Sequence, residues 1–134
     1  VAAKPETAFR LRIERGLPRE IHREKMANPY RGGTADCWYS ARRSDLWVEY
    51  KFLPRIPQKG VVDAKRLGLS HLQLQWLHGR YEEGRNVSVI VGVPTGGVIL
   101  RDLDWEKEIL AGTFARMVIP HTEVTAWITQ TTLR

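Results

Sequence analysis

Residues 46–52 alternate. Leu46, Val48, Tyr50 and Phe52 fall on one side of an extended strand, and Trp47, Glu49 and Lys51 on the other. An alternating strand often has one wet face, but here an apolar tryptophan shares that face with a carboxylate and an ammonium. The run Val87–Val93 is nearly continuous, apolar and β-branched, so it predicts a buried central strand. Phe9 and Ile13, spaced i, i+4, mark the stripe of a helix over residues 5–15, opened by Pro5 and stopped by Gly16 and Pro18. Residues 20–26 suggest an irregular strand, Asn28-Pro29 and Gly32-Gly33 a loop, residues 35–40 a short strand and residues 41–45 a turn. A second helix runs from Ser70 to near Gly84. Its Ser70 and Gln73 have the spacing of a capping box, with Leu69 and Leu74 as the staple. Pro94-Thr95-Gly96-Gly97 reads as a turn into a strand over residues 98–100, and residues 122–130, after Pro120, as a terminal helix. The order helix, strands, helix, strands predicts one α/β domain over residues 1–134, a mixed sheet flanked by helices.

Composition narrows the class only a little. At 134 residues, 43% hydrophobic and 27% charged, the chain is ordinary for a soluble globular domain. It has no apolar run of membrane-spanning length and no signal-peptide stretch at its start. The single Cys37 allows no internal disulfide, so an intracellular, cytoplasmic protein without a membrane partner is expected. The net charge of +6 is uneven: residues 1–45 carry ten Lys/Arg against six Asp/Glu, residues 46–90 seven against four, and the last 44 four against five. The positive excess flanks the 46–52 strand and suits a phosphate-bearing partner. Residues 54–68, with two prolines, two glycines and four Lys/Arg, read as an exposed basic loop.

Chemistry-bearing residues gather around the alternating strand. If the strands over 35–40 and 46–52 pair as a meander, Asp36 comes beside Glu49 and Lys51. Two carboxylates plus the Tyr50 backbone carbonyl make an oxygen-only set suited to Mg²⁺ or Mn²⁺, and Lys51 on the same face can orient a water there. At ~100° per residue, Phe9 and Ile13 lie about 60° and 20° around the helix from Glu6, which directs Glu6 toward the core side. Glu14, about 80° round, is expected in solvent. Glu6 admits two readings, a site acid or a first-turn acid favoured by the helix dipole. Gln73 likewise reads as a cap or as a group reaching into a site. The four histidines and Cys37 lack zinc spacing, no nucleophile–base pair stands out, and the glycine pair Gly96-Gly97 lacks the Lys-Ser/Thr of a phosphate loop.

Gly33-Thr34-Ala35-Asp36 followed by a strand bearing Glu49-Tyr50-Lys51 resembles the PD-(D/E)XK nuclease signature. With Glu6, the 69–77 segment Leu-Ser-x-x-Gln-x-x-Trp-Leu, and Trp47-Val-Glu-Tyr-Lys-Phe, the chain looks like the virus-type replication-repair nuclease branch in its small stand-alone phage form. The resemblance spans roughly residues 5–100. Ala35 stands where the family often has proline, a residue that shapes the turn and ligates nothing.

The resemblance implies a restriction-endonuclease-like mixed β-sheet flanked by helices. It implies hydrolysis of DNA phosphodiesters with Mg²⁺ or Mn²⁺, leaving 5′-phosphate and 3′-hydroxyl ends. Asp36, Glu49 and the Tyr50 carbonyl would hold the metal, Glu6 would complete the site or serve a second ion, Lys51 would position the attacking water, and Gln73 would support the phosphate or Lys51. Stand-alone members look like homodimeric Holliday-junction resolvases, so branched DNA and a second copy are the expected partners. Arg42, Arg43, Arg55, Lys59, Lys65 and Arg66 are expected to grip flanking phosphates, and Val118, Ile119, Trp127 and Ile128 either form the dimer interface or pack on the chain's own sheet. The alternatives are an inactive DNA-binding accessory protein and a duplex-cutting endonuclease.

Overall fold

A computed structural model describes residues 4–26 and 32–134. Five strands form the main sheet: β1 (His22–Lys25), β2 (Cys37–Ser40), β3 (Asp45–Phe52), β5 (Val87–Val93) and β6 (Gly96–Leu100), in the order β1-β2-β3-β5-β6. Only the β3–β5 pair is parallel, Trp47 opposite Val87 through Phe52 opposite Gly92; the other pairs are antiparallel, so the sheet is mixed. The expected strand at 20–26 is β1, shorter by three residues, and Asn28-Pro29 lie outside the described residues.

The apolar alternation sorts side chains to two faces. Helices α1 (Pro5–Arg15) and α5 (His121–Thr132) cover one face, where Phe9, Ile13, Val124 and Ile128 pack on Leu46, Val48, Tyr50 and Ile90. The other face is covered by α3 (His71–Glu82) and α4 (Ala111–Arg116), whose Leu77 and Phe114 meet Val87, Val89, Val91 and Val93. All seven residues of β5 are buried, as expected of an interior strand with helices on both sides. The tail residues expected either at a dimer interface or on the chain's own sheet take the second course. Ile128 is fully buried, Ile119 and Trp127 pack on the first core cluster and Val118 on the second.

Three segments depart from the expectation. The basic stretch 54–68 is not all loop: it holds β4 (Val61–Val62), paired with β7 (Ile109–Leu110), and the single turn α2 (Ala64–Leu67). Asp63 caps α2 by accepting from the Arg66 backbone N–H at 2.9 Å; elements of two and four residues are too short for periodicity to reveal. Gly96 and Gly97 belong to β6 rather than to the preceding turn, because the backbone at Ile119 lies against them: Gly97 and Ile119 exchange both backbone hydrogen bonds at 2.9 Å. Glu14, expected in solvent, is largely covered. It takes a salt bridge from Arg10 at 2.9 Å and the Tyr39 hydroxyl at 2.8 Å, and Tyr39 in turn hydrogen-bonds the Tyr50 hydroxyl at 2.8 Å.

Candidate active site

The β2–β3 register sets the site. Cys37 is opposite Val48, so one step further brings Asp36 beside Glu49. The ladder ends there, and Asp36 Oδ2 accepts the Tyr50 backbone N–H at 3.0 Å in place of a strand partner. The Tyr50 carbonyl points to the same edge, since N–H and C=O of one strand residue face one neighbour. The approach to Asp36 requires glycine: Gly33 has φ 97°, and a Cβ there would collide with the Leu72 carbonyl at the start of α3.

Glu49 lies on the α3 face of β3 and is 1% exposed. Its Oε2 accepts from Gln73 Nε2 at 2.9 Å and stands 3.7 Å from Lys51 Nζ, which also donates to the Gly68 carbonyl at 3.2 Å. Its Oε1 is buried without a hydrogen-bond partner among the described residues. Burial first, then the Asp36 carboxylate, pushes the Glu49 carboxyl up to about 8, against the pull of Lys51. Gln73 does two jobs at once. Its Oε1 accepts from the Ser70 backbone N–H at 2.9 Å while Ser70 Oγ accepts from the Gln73 N–H at 3.1 Å, a complete capping box, and its free amide nitrogen holds Glu49. The cap and the reach toward Glu49 are thus compatible in one side chain.

Glu6 comes from the far end of the chain, and Phe9 seats it. The Phe9 ring fills a slot over Gly92 and Gly97, where a Cβ on Gly92 would come 2.5 Å from the ring, and it meets Tyr50 edge-on at 6.0 Å. One turn earlier in α1, half-buried Glu6 feels Asp36, Lys51 and Lys25; burial first, then Asp36, raises its carboxyl. Lys25 is the member that sequence reasoning missed. It ends β1 opposite Cys37, and its Nζ is 4.0 Å from Asp36 Oδ1. Only the strand register could have placed it.

The structure thus brings Glu6, Asp36, Glu49, Lys51 and Gln73 together. Arg55, Lys59, Lys65 and Arg66 are exposed on the segment after β3, and three of them, Arg55, Lys59 and Arg66, line a groove of ≈ 620 Å³. Arg42 and Arg43 sit apart, at the β2–β3 turn about 20 Å along the strand from Lys51, where they donate to the carbonyls of Leu133 (3.2 Å) and Arg134 (2.6 Å).

Whether these residues suit a divalent cation can be judged from their chemistry. Among the described residues no three His, Cys, Asp or Glu side chains stand together as a metal-holding group. Mg²⁺, however, is commonly held by one or two carboxylates with water completing its shell. The unpartnered Oε1 of buried Glu49, with Asp36 beside it, is what such a cation would satisfy. The donor set fits.

No family model matches the sequence, and no curated protein matches it. Among solved structures the chain is similar to Hjc of Archaeoglobus fulgidus, a Holliday junction resolvase from an archaeal hyperthermophile, with a TM-score of 0.51 and 14% identity over 92% of this chain and 97% of that one. The architecture is therefore a restriction-endonuclease-like α/β fold, a mixed sheet flanked by helices. Among the described residues no helix is long and apolar enough to cross a membrane.

Proposed function

We propose that the chain is a divalent-metal-dependent deoxyribonuclease of the PD-(D/E)XK superfamily, in the stand-alone form of the virus-type replication-repair branch, that nicks branched DNA as a homodimer. The observation that carries this is Glu49: a carboxylate buried in a sheet, one oxygen unpartnered, a second carboxylate beside it and a lysine 3.7 Å away. A structural role needs no such arrangement, because burying an unsatisfied carboxylate costs stability. The fold shared with a Holliday junction resolvase favours four-way junctions as the substrate.

Asp36 and Glu49 would hold the cation with the Tyr50 carbonyl, and Glu6 would complete the set. Mg²⁺ or Mn²⁺ bound there supplies Lewis-acid polarisation of the phosphate and a more acidic water. Lys51, steadied by the Gly68 carbonyl, orients the attacking water and offsets the charge that grows on the phosphoryl oxygens. Gln73 fixes the Glu49 carboxylate in its rotamer. Arg55, Lys59, Lys65 and Arg66 are positioned to hold phosphates beyond the cut, which makes binding strongly salt-dependent. Resolving a junction takes two matched cuts, and a two-fold dimer supplies two sites in fixed relation.

Labelled duplex, flap and four-way-junction DNA, incubated with Mg²⁺, Mn²⁺ or EDTA, test the reading. Junctions should be nicked in pairs with either metal and untouched in EDTA, and sedimentation should give twice the 15.4 kDa chain mass. Cleavage by Glu49→Ala at the wild-type rate sinks the nuclease assignment; a monomer, or equal cutting of plain duplex, sinks only the resolvase part. A DNA-binding protein without cleavage is the second reading, favoured by the lack of a three-residue metal group among the described residues.

A further inference from the structure

Four aromatic rings run in a row across the sheet on the same face as Glu49. His22 on β1 meets Trp38 on β2 at 5.2 Å between centroids, Trp38 meets Trp47 on β3 at 6.1 Å, and Trp47 meets Trp76 on α3 at 5.3 Å. The Arg80 guanidinium closes the row, 5.9 Å over the Trp76 ring. Core aromatics would be buried, yet Trp38 and Trp47 are both partly exposed, and Trp38 belongs to neither core cluster. Between them and the end of α3 lies a cavity of ≈ 430 Å³, with Trp38 and Trp47 as apolar walls and Arg80, Arg85, Asp45 and Asn86 on its polar side.

We infer that this cavity is a stacking pocket for one unpaired nucleobase of the strand being cut, an inference that rests on the nuclease reading. The volume lies within the range of small-ligand pockets, and rings presented face or edge to solvent offer every base a π-surface regardless of sequence. The chemistry beside the rings is that of a nucleotide. Arg85 is exposed, so its guanidinium is available to a flanking phosphate, while Arg80, paired with Glu83 at 3.3 Å and lying over Trp76, braces the pocket wall. Asn86 spends its amide nitrogen on Ser44 Oγ (2.7 Å) and the Asp45 carbonyl (3.1 Å), which leaves its side-chain oxygen for a base edge. Asp45, which takes the Ser40 hydroxyl at 2.5 Å, adds a second acceptor at the rim.

Position makes the pocket useful to the chemistry. Trp47 is two residues before Glu49 on one face, about 7 Å along the strand, or roughly two stacked base steps. A base captured here cannot be paired at the same time. The pocket therefore selects DNA that already has an unpaired nucleotide beside the scissile phosphate, as a branch point does, and penalises continuous duplex by the free energy of unstacking.

Fluorescence tests this in EDTA, where no cleavage intervenes. The probe is a short single strand carrying one 2-aminopurine, whose emission falls when it stacks. Wild-type protein should quench the probe, Trp38→Ala should bind about tenfold more weakly without quenching, in line with loss of one base–aromatic stack, and Trp38→Phe should restore most of both. A strand of the same length with abasic sites has the phosphates but no bases, and wild-type protein should bind it about tenfold more weakly as well. That arm needs no variant and so survives any folding defect of Trp38→Ala. Equal affinity for the abasic strand, or binding without quenching, overturns the pocket. Such a failure leaves junction cleavage by wild-type protein intact, whereas quenching without any metal-dependent cleavage would overturn the nuclease reading instead.

Discussion

A covered carboxylate lies against each face of the sheet, Glu14 of α1 on one and Glu49 of β3 on the other, and the two are treated differently. On the α1 and α5 side, Glu14 answers to Arg10 and Tyr39, and Tyr39 to Tyr50, in a chain of bonds of 2.8–2.9 Å. On the α3 side, Glu49 has one oxygen held by Gln73 and the other held by nothing among the described residues. Burial, the largest cause for each, pushes the Tyr39 and Tyr50 hydroxyls upward, so they stay protonated. The same burial, with Asp36 beside it, pushes the Glu49 carboxyl up to about 8 against the pull of Lys51. A satisfied polar network specifies a core; a buried carboxylate oxygen left without a partner calls for a separate explanation, which the proposed cation supplies.

The largest expected contrast separates activity from stability. Glu49→Ala should remove metal-dependent cleavage to background while leaving a cooperative unfolding transition. Glu14→Ala should do the reverse, losing about 2 kcal/mol of stability because Arg10 and Tyr39 lose a charged partner, with cleavage per folded molecule unchanged. Gel assays and urea melts on both variants check it. If Glu49→Ala costs more stability than Glu14→Ala, the two faces are not different in kind.

The second expectation concerns pH in the absence of divalent metal. Burial pushes the Glu49 carboxyl from its ordinary 4.5 in the unfolded chain up to about 8 in the folded one, so the native state binds the extra proton between those values. Its contribution is fully present below about 4.5 and is lost as pH rises through about 8; Glu6, raised in the same direction, adds to the trend. Glu49→Gln should flatten this slope and stabilise the metal-free protein at pH 8 by at least about 1.4 kcal/mol, the equivalent of one pKa unit. Added Mg²⁺ should recover that stability in the wild type and not in the variant. Melting curves across pH 5–9 that superimpose for the two proteins would remove the asymmetry between the faces.

The smallest effect divides the two roles of Gln73. Ser70→Ala removes only the cap and should cost about 1 kcal/mol of stability with cleavage near normal. Gln73→Ala removes both the cap and the hold on Glu49, so it should match that stability loss and lower the cleavage rate as well. Equal cleavage by the two variants would leave Gln73 a cap alone.

Much of this was legible because alternation in β3 and the apolar run of β5 belong to strands buried on at least one face, where period and burial coincide. Phe9 and Ile13 marked the buried stripe of α1 for the same reason, and Pro5 and Gly16 its ends. Glu14 was not legible. A position about 80° round the helix from Glu6, away from Phe9 and Ile13, reads as solvent until a tyrosine from a distant strand is found waiting for the carboxylate. Lys25 and the 54–68 segment escaped through register and brevity. The region after residue 100, with α4 and β7, is organised by packing of Trp105 and Phe114 rather than by any local period.

The parallel pairing of β3 with β5 has a kinetic consequence. Trp47 must find Val87 forty residues on, and α1 must dock over Gly92 before Glu6 reaches its place. Such non-local contacts are slow to form, because the entropy of closing the loop is lost before any contact repays it. The β5–β6 hairpin, closed by Pro94 and Thr95 alone, can form early, while the carboxylates from α1, from just before β2 and from β3 meet only when the crossover is complete. A refolding chain would therefore regain strand content well before it regains competence to cut. In hydrogen exchange, the amides linking β3 to β5 would be among the last to open.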